Sequence, residues 1–277
     1  MAEIEAEPNA HNYKESRLHV YSSVIEKHRL DLQQLVDEEE RSEAEFVGAM
    51  ETRAHRLHVD YVHDVNLAVL GERGVGKSSL VNAFTGAHAR TAVVECTRDL
   101  MAYSPPELPH LKVWDVPGYG TQKTTQKVDT YLESFCLFYM DYLCLLVGDH
   151  LSETDIHLAT LCKEFGLPFC LLRSKADSDI ENACVQKHGR GYGELGGLER
   201  AEVVQQYSTR THAYMVAEQA RAHLEDVDFF LLSAPRCTQL RDACDPRMKN
   251  RAVPTVDEAD FVDVIVAEIV NTRAEHS

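Results

Sequence analysis

The chain has 277 residues, a net charge of −17, and 44% hydrophobic against 26% charged residues. That is an ordinary globular composition, long enough for one large domain and an appendage. The charge excludes non-specific duplex binding, which needs Lys and Arg to neutralise phosphates, so no nucleic-acid partner is expected. It also disfavours direct attraction to an anionic lipid surface, so any membrane contact is expected to be indirect.

The eight cysteines are scattered and form no CxxC pair, which excludes zinc-ribbon and thioredoxin readings. Cys144 and Cys170 sit inside apolar runs, where a thiol behaves as a small hydrophobe. The start MAEIEAEPNA has neither a basic nor an apolar signal region, and Ala2 excludes N-myristoylation. No apolar run approaches the roughly 20 residues of a membrane span. A cytoplasmic location is expected, with at most peripheral contact with intracellular membranes.

From Asn12 to Val47 there is no Gly or Pro, and Leu18, Tyr21, Val24, Ile25, Leu32, Leu35 and Val36 recur near helical period. Residues 1–60 carry 14 acidic and 7 basic side chains and read as an N-terminal helical segment with an acidic, solvated face. Beyond it, short apolar strands at 65–70, 111–115, 142–147, 168–172 and 229–233 alternate with helices at 77–85, 128–139, 153–165, 198–224 and 256–272. Val93 and Val94 suggest an edge strand. This alternation predicts an α/β domain over 61–277, a mostly parallel six-stranded sheet with helices on both faces. Ligands in such sheets bind at the carboxyl ends of the strands.

Gly71-Glu72-Arg73-Gly74-Val75-Gly76-Lys77-Ser78 follows the first strand and opens a helix, matching GxxxxGK[ST] in full. The glycines let successive N–H groups, including that of Val75, face a β-phosphate. Lys77 reaches the β/γ oxygens and Ser78 offers its hydroxyl to Mg²⁺, with Ser79 beside them. Asp115-Val116-Pro117-Gly118 closes the third strand as a DxxG element, Asp115 serving Mg²⁺ and Gly118 sensing the γ-phosphate. Ser174-Lys175-Ala176-Asp177 resembles the [NT]KxD guanine motif, with Ser174 in place of Asn. A carboxylate at Asp177 pairs with guanine N1–H and its amine and would be left unpaired by adenine. Ser233 and Ala234 fit the backbone contact to guanine O6. These motifs, in this order at strand ends, predict a P-loop NTPase of the Ras-like G-domain type, binding GTP/GDP with Mg²⁺. A switch threonine is also needed, and both Thr91 and Thr97 are available.

TAVVECT, VWDVPGYG, DTYLESFCLFYMDYLCLLVG and LLRSKADSDI together resemble the immunity-related, interferon-inducible (IRG) GTPases over about residues 60–272. The resemblance implies that Thr91 is the switch ligand to Mg²⁺ beside Ser78 and Asp115. It implies a GTPase that forms homodimers or oligomers on GTP through its G domains and acts at intracellular membranes in cell-autonomous defence. It also implies C-terminal helices, for which this sequence has no room, and Ala92 departs from the family's switch glycine.

Ras-like proteins orient the attacking water with a Gln after DxxG, where this chain has Tyr119. Slow hydrolysis is therefore expected, with Lys77, Glu95 and Arg73 as the candidate catalytic residues, Glu95 orienting water and Arg73 touching phosphate in cis or in trans. The alternative is a GTP-gated assembly module with little hydrolysis. Two patterns are set aside. Gly191-Tyr192-Gly193-Glu194-Leu195-Gly196 fits GxGxxG but follows no strand and is expected to be a flexible loop. His55 and His58 lack a third metal ligand.

Overall fold

The computed structural model describes residues 43–87, 100–119, 128–242 and 253–274. Most of the expected N-terminal segment, Thr91, Thr97, Glu95, Val93 and Val94 lie outside the described residues. Six strands are described: β1 (Val65–Gly71), β2 (Met101–Tyr103), β3 (Leu111–Asp115), β4 (Tyr142–Leu146), β5 (Phe169–Arg173) and β6 (Phe229–Leu231). They form one sheet in the order β2-β3-β1-β4-β5-β6. All neighbours are parallel except β2, which is antiparallel to β3. The helices are α1 (Glu43–Arg56), α2 (Lys77–Thr85), α3 (Val128–Ser134), α4 (Glu153–Glu164), α5 (Ala176–His188), α6 (Gly197–Arg221), α7 (Ala234–Arg241) and α8 (Glu258–Ala274).

Strand periodicity sorts the core into two layers. Leu67 and Val69 pack with Leu80 and Val81 of α2, Cys237 of α7, and Phe261 and Ile265 of α8. Ala68 and Leu70 point the other way, joining Leu132 of α3, Leu158 of α4, Met215 of α6, and Met50 and Ala54 of α1. Each fully buried leucine contributes roughly 1.5–3 kcal/mol. A one-residue slip would exchange the two layers, so register is tightly specified. Buried Asn66 knits the sheet: its amide donates to the Asp60 and Asp64 carbonyls, its oxygen accepts from Trp114 Nε1 at 2.9 Å, and its backbone N–H donates to Asp141.

The helix expected over 128–139 ends at Ser134. Cys136 turns left-handed (φ 53) and opens a 3-10 turn, Leu137–Tyr139, in which all three side chains are buried. An α-helix spaces consecutive side chains about 100° apart and cannot bury three in a row against one surface, so the chain leaves the helix. Two helices go beyond the elements expected from sequence. α5 buries only Ala176, Ile180 and Cys184, and α7 only Cys237, stripes too thin to stand out. The structure describes an edge strand at β2, and the edge strand expected at Val93 and Val94 lies outside the described residues.

The glycine-rich segment after α5 is an ordered connection. It contains a 3-10 turn, Tyr192–Glu194. Tyr192 N donates to Glu181 at 2.9 Å, Gly191 N to Glu194 at 3.2 Å, and Arg200 Nε to the Tyr192 carbonyl at 2.9 Å. With the Gly191, Tyr192 and Gly196 N–H groups donated to Glu194, Glu181 and Glu199, the GxGxxG pattern makes no phosphate cradle. His55 and His58 are exposed. Among the described residues no cluster of three His, Cys, Asp or Glu suits a metal ion. The described cysteines are free and buried. Burial pushes the thiols of Cys136, Cys162 and Cys237 up to about 12, as befits hydrophobic filler. No described helix is long and apolar enough to cross a membrane.

Candidate functional site

The strand order reverses around β1, and the loops leaving the carboxyl ends of β1, β3, β5 and β6 converge there. The loop after β1 curls through Gly74 (φ 84) and Gly76 (φ 106) into α2. Inside it, Lys77 is buried and donates to the Gly71 carbonyl at 3.0 Å and the Glu72 carbonyl at 2.8 Å. Burial pushes the Lys77 ammonium down to about 8, against the opposing pull of Asp115 and Glu72. Among the described residues the ammonium's hydrogen-bond partners are two neutral carbonyls, which an incoming phosphate can replace.

Asp115 ends β3 with 2% exposure, and its Oδ2 accepts from Ser78 Oγ at 2.7 Å. These two oxygens come from different elements and form a hard donor pair suited to Mg²⁺. Gly118 lies against the phosphate loop. A Cβ there would stand 2.8 Å from Lys77 Nζ and 3.1 Å from the Arg73 backbone nitrogen, so a side chain at this position would push against the Lys77 ammonium and the loop backbone. Arg73 itself is exposed at the rim.

Tyr119 follows, and its hydroxyl donates to Asp155 of α4 inside the core. Its ring meets Tyr131 of α3 edge-on at 5.6 Å, and the Tyr131 hydroxyl donates to the Pro117 carbonyl at 2.7 Å. Burial, then the Asp155 charge, raise the Tyr119 phenol well above its ordinary value. The side chain at the Gln position of Ras-like proteins is therefore a structural anchor for the segment beside the phosphate loop. The sequence marks Asp155 only as the last residue of the Ser152-Glu153-Thr154-Asp155 capping box, and nothing local ties it or Tyr131 to Tyr119.

The guanine-type loop meets the phosphate loop directly. Ser174 Oγ donates to the Val75 carbonyl at 2.5 Å, and Lys175 Nζ to the Gly74 carbonyl at 2.8 Å. A Cβ on Gly76 would stand 2.5 Å from Ser174 Oγ. With φ at 106, Gly76 thus combines a left-handed backbone with a close approach that excludes side chains. Ser174, in place of Asn, still ties the two loops together. Next to this junction opens a cavity of about 470 Å³, lined by Gly76, Ser79, Ser174, Lys175, Asp177 and Ala234 together with Pro235, Thr238 and Gln239 of α7. Burial raises the Asp177 carboxyl above its ordinary value, with backbone hydrogen bonds opposing. Ser233 caps α7 by accepting from Arg236 N at 3.3 Å, and its own N–H is held by Glu258 at 2.9 Å. Thr238 and Gln239 were readable in principle, because each lies four residues beyond a cavity residue on the same helix.

The structure thus brings together Gly71, Gly74, Val75, Gly76, Lys77, Ser78, Asp115 and Gly118 at one end of a groove. It places Ser79, Ser174, Lys175, Asp177, Ser233 and Ala234 around or beside the cavity at the other.

A family profile described as Interferon-inducible GTPase (IIGP) matches residues 54–234. Interferon-inducible GTPase 1 of Mus musculus is 35% identical over 124 residues, covering 43% of this chain and 30% of that protein. Interferon-inducible GTPase 5 of Rattus norvegicus is 31% identical over 176 residues, covering 61% and 35%. These matches thus span about a third of the relatives' own length. Among solved structures, Toc33 of Arabidopsis thaliana aligns over 82% of this chain and 92% of that one, with 15% identity and a TM-score of 0.45.

Proposed function

Because this chain belongs to the interferon-inducible GTPase family, we propose that it binds GTP and GDP with Mg²⁺ and hydrolyses GTP slowly to GDP and phosphate. The observation that carries this reading is the Ser78–Asp115 hydrogen bond of 2.7 Å beside the buried Lys77 ammonium. It joins the phosphate loop to the end of β3, next to a base-sized cavity. Mg²⁺ would be held by Ser78 and Asp115, with Thr91 as the third protein ligand, and when bound it neutralises charge on the β- and γ-oxygens. Lys77 exchanges its two carbonyl partners for phosphate oxygens, and the N–H groups from Gly74 to Ser78 line the same concavity. Asp177 reads guanine while Ser174 holds its loop against Val75. Gly118, wedged at Lys77 and Arg73, is placed to feel the γ-phosphate.

A second reading is a GTP-gated assembly module that turns over little. The inward anchoring of Tyr119 favours it, since the phenol is committed to Asp155 and leaves the water to another group. We propose that Glu95 fills this role, with Arg73 reaching phosphate, and that self-association through the G domain assists both. Residues 1–60 are proposed as a helical segment leading into the G domain at 61–277. Relatives named interferon-inducible and immunity-related GTPases support a role in immune defence, and action at intracellular membranes is proposed from the family resemblance alone.

Two measurements test the reading. Asp177→Asn is expected to shift preference from guanine to xanthine nucleotides, and unchanged selectivity would remove the base site assigned here. Specific GTPase activity is expected to rise with protein concentration, with a non-hydrolysable analogue holding the larger species in sizing experiments. A flat specific activity, unaltered in Glu95→Ala, would sink the assembly-assisted mechanism.

A further inference from the structure

We propose that Arg173 and Asp179 form a buckle across the guanine-recognition loop, making Arg173 a positioning residue that aims Asp177 at the base. Arg173 is the last residue of β5, immediately before Ser174, while Asp177 and Asp179 both lie in the first turn of α5. The inference rests on the base site proposed above and adds what sets its accuracy.

The first turn of α5 is held on its inner side by the buried Ala176, whose N–H donates to the Leu232 carbonyl at 3.2 Å. Its N-cap is Lys175 in a left-handed conformation (φ 69), with no side-chain capping hydrogen bond. Its packed stripe is only Ala176, Ile180 and Cys184. Behind the turn lies a cleft of about 360 Å³ between α5 and α6, lined by Arg173, Asp179, Asn182, Tyr207, Arg210 and Tyr214 among others. Apolar packing therefore does not fix the rotation of this turn from that side.

Polar groups do. Arg173 Nη2 donates to Asp179 Oδ2 at 2.7 Å, and the same oxygen accepts from the Tyr207 hydroxyl of α6 at 3.0 Å. Arg173 also pairs with Asp149, after β4, at 2.9 Å. Side-chain exposure ranks the two pairs: Arg173 is 15% and Asp179 33% exposed, whereas Asp149 is 88% exposed. Water and salt screen the Asp149 pair heavily and the Asp179 pair much less. The strong link thus spans the loop and carries Asp177 between its ends. Guanine needs both carboxylate oxygens of Asp177 aligned with N1–H and the exocyclic amine. A small rotation of the turn would spoil that bidentate fit while leaving the phosphate loop in place.

A purely structural Asp179, favourable only because acidic groups suit a helix N-terminus, would affect melting but not base discrimination. The test therefore compares GDP with inosine diphosphate, which lacks the exocyclic amine, on the full chain. Asp179→Asn is expected to weaken GDP binding about tenfold, the size of one charge-assisted hydrogen bond. Inosine diphosphate should lose less, so the ratio of the two affinities falls. Arg173→Lys, which keeps the charge but not the guanidinium fork, should lower the ratio in the same direction. Asp149→Asn should leave it within about twofold. An unchanged ratio in folded Asp179→Asn overturns the buckle, and if that variant does not fold, an unchanged ratio in Arg173→Lys does so. A wild-type chain that binds ADP as well as GDP would instead remove the base site itself, and the buckle with it.

Discussion

Replacing Tyr119 with Phe separates packing from chemistry at the residue that follows Gly118. The ring keeps its edge contact with Tyr131 at 5.6 Å, and what is lost is the hydroxyl donated to Asp155 Oδ1. Asp155 is only 2% exposed. Its other oxygen retains Ser152 N at 3.0 Å and Ser152 Oγ at 2.8 Å, the capping box that starts α4. A buried carboxylate oxygen stripped of a donor costs about 1–3 kcal/mol. At roughly 2–4 °C per kcal/mol for a domain of this size, the melting midpoint should fall by about 2–12 °C. Burial and the Asp155 charge hold the phenol protonated well beyond neutral pH, so it has no proton-accepting role to lose. Single-turnover GTP hydrolysis, measured well below the lowered midpoint, should stay within about twofold of the unmodified chain. A tenfold loss of turnover with an unchanged midpoint would refute the reasoning and place the phenol at the reacting water.

Lys77 provides a pH test. Its ammonium is pushed down to about 8 from an ordinary 10.5, so its contribution to stability is present above 10.5 and lost as pH falls through 8. The nucleotide-free protein should gain stability between about pH 8 and 10.5, and Lys77→Met should flatten that slope. GDP affinity should fall over the same rise in pH, because a neutral amine cannot pair with phosphate; constant affinity from pH 7 to 9.5 would contradict this. Asn66→Ala removes the acceptor of Trp114 and two backbone-directed donors, so a loss of about 3 kcal/mol is expected in denaturant unfolding. Trp114 is the single tryptophan, and its emission should shift in the same variant. An unchanged unfolding midpoint would mean the Asn66 network carries no net stability.

Much of the architecture was legible because its signals are local. Strand β3 and helix α2 have the limits read from the apolar runs, and the other expected strands within the described residues differ only at their ends. The thin stripes of α5 and α7 were not legible. In short polar helices, tertiary contacts rather than apolar periodicity decide the conformation. The turn at Cys136 was hidden too, since the drive to bury Leu137, Phe138 and Tyr139 together overrides the helical run before them.

By itself the sequence determined the kind of chemistry. Glycines at set spacing before Lys77 and Ser78, and a carboxylate at the end of a strand, specify a phosphate loop through backbone geometry that needs few distant residues. The net charge of −17 is compatible with such a ligand, because the loop supplies its own inward-facing donors and cation. Only the tertiary structure decided how the parts are held. Ser174 reaches across 99 residues to Val75, Tyr119 is committed to Asp155 rather than to solvent, and Arg173 closes on Asp179 beneath Tyr207. Each of these links involves side chains whose partners are fixed by helices docking on a sheet. A contact set by docking leaves no periodic trace in the chain.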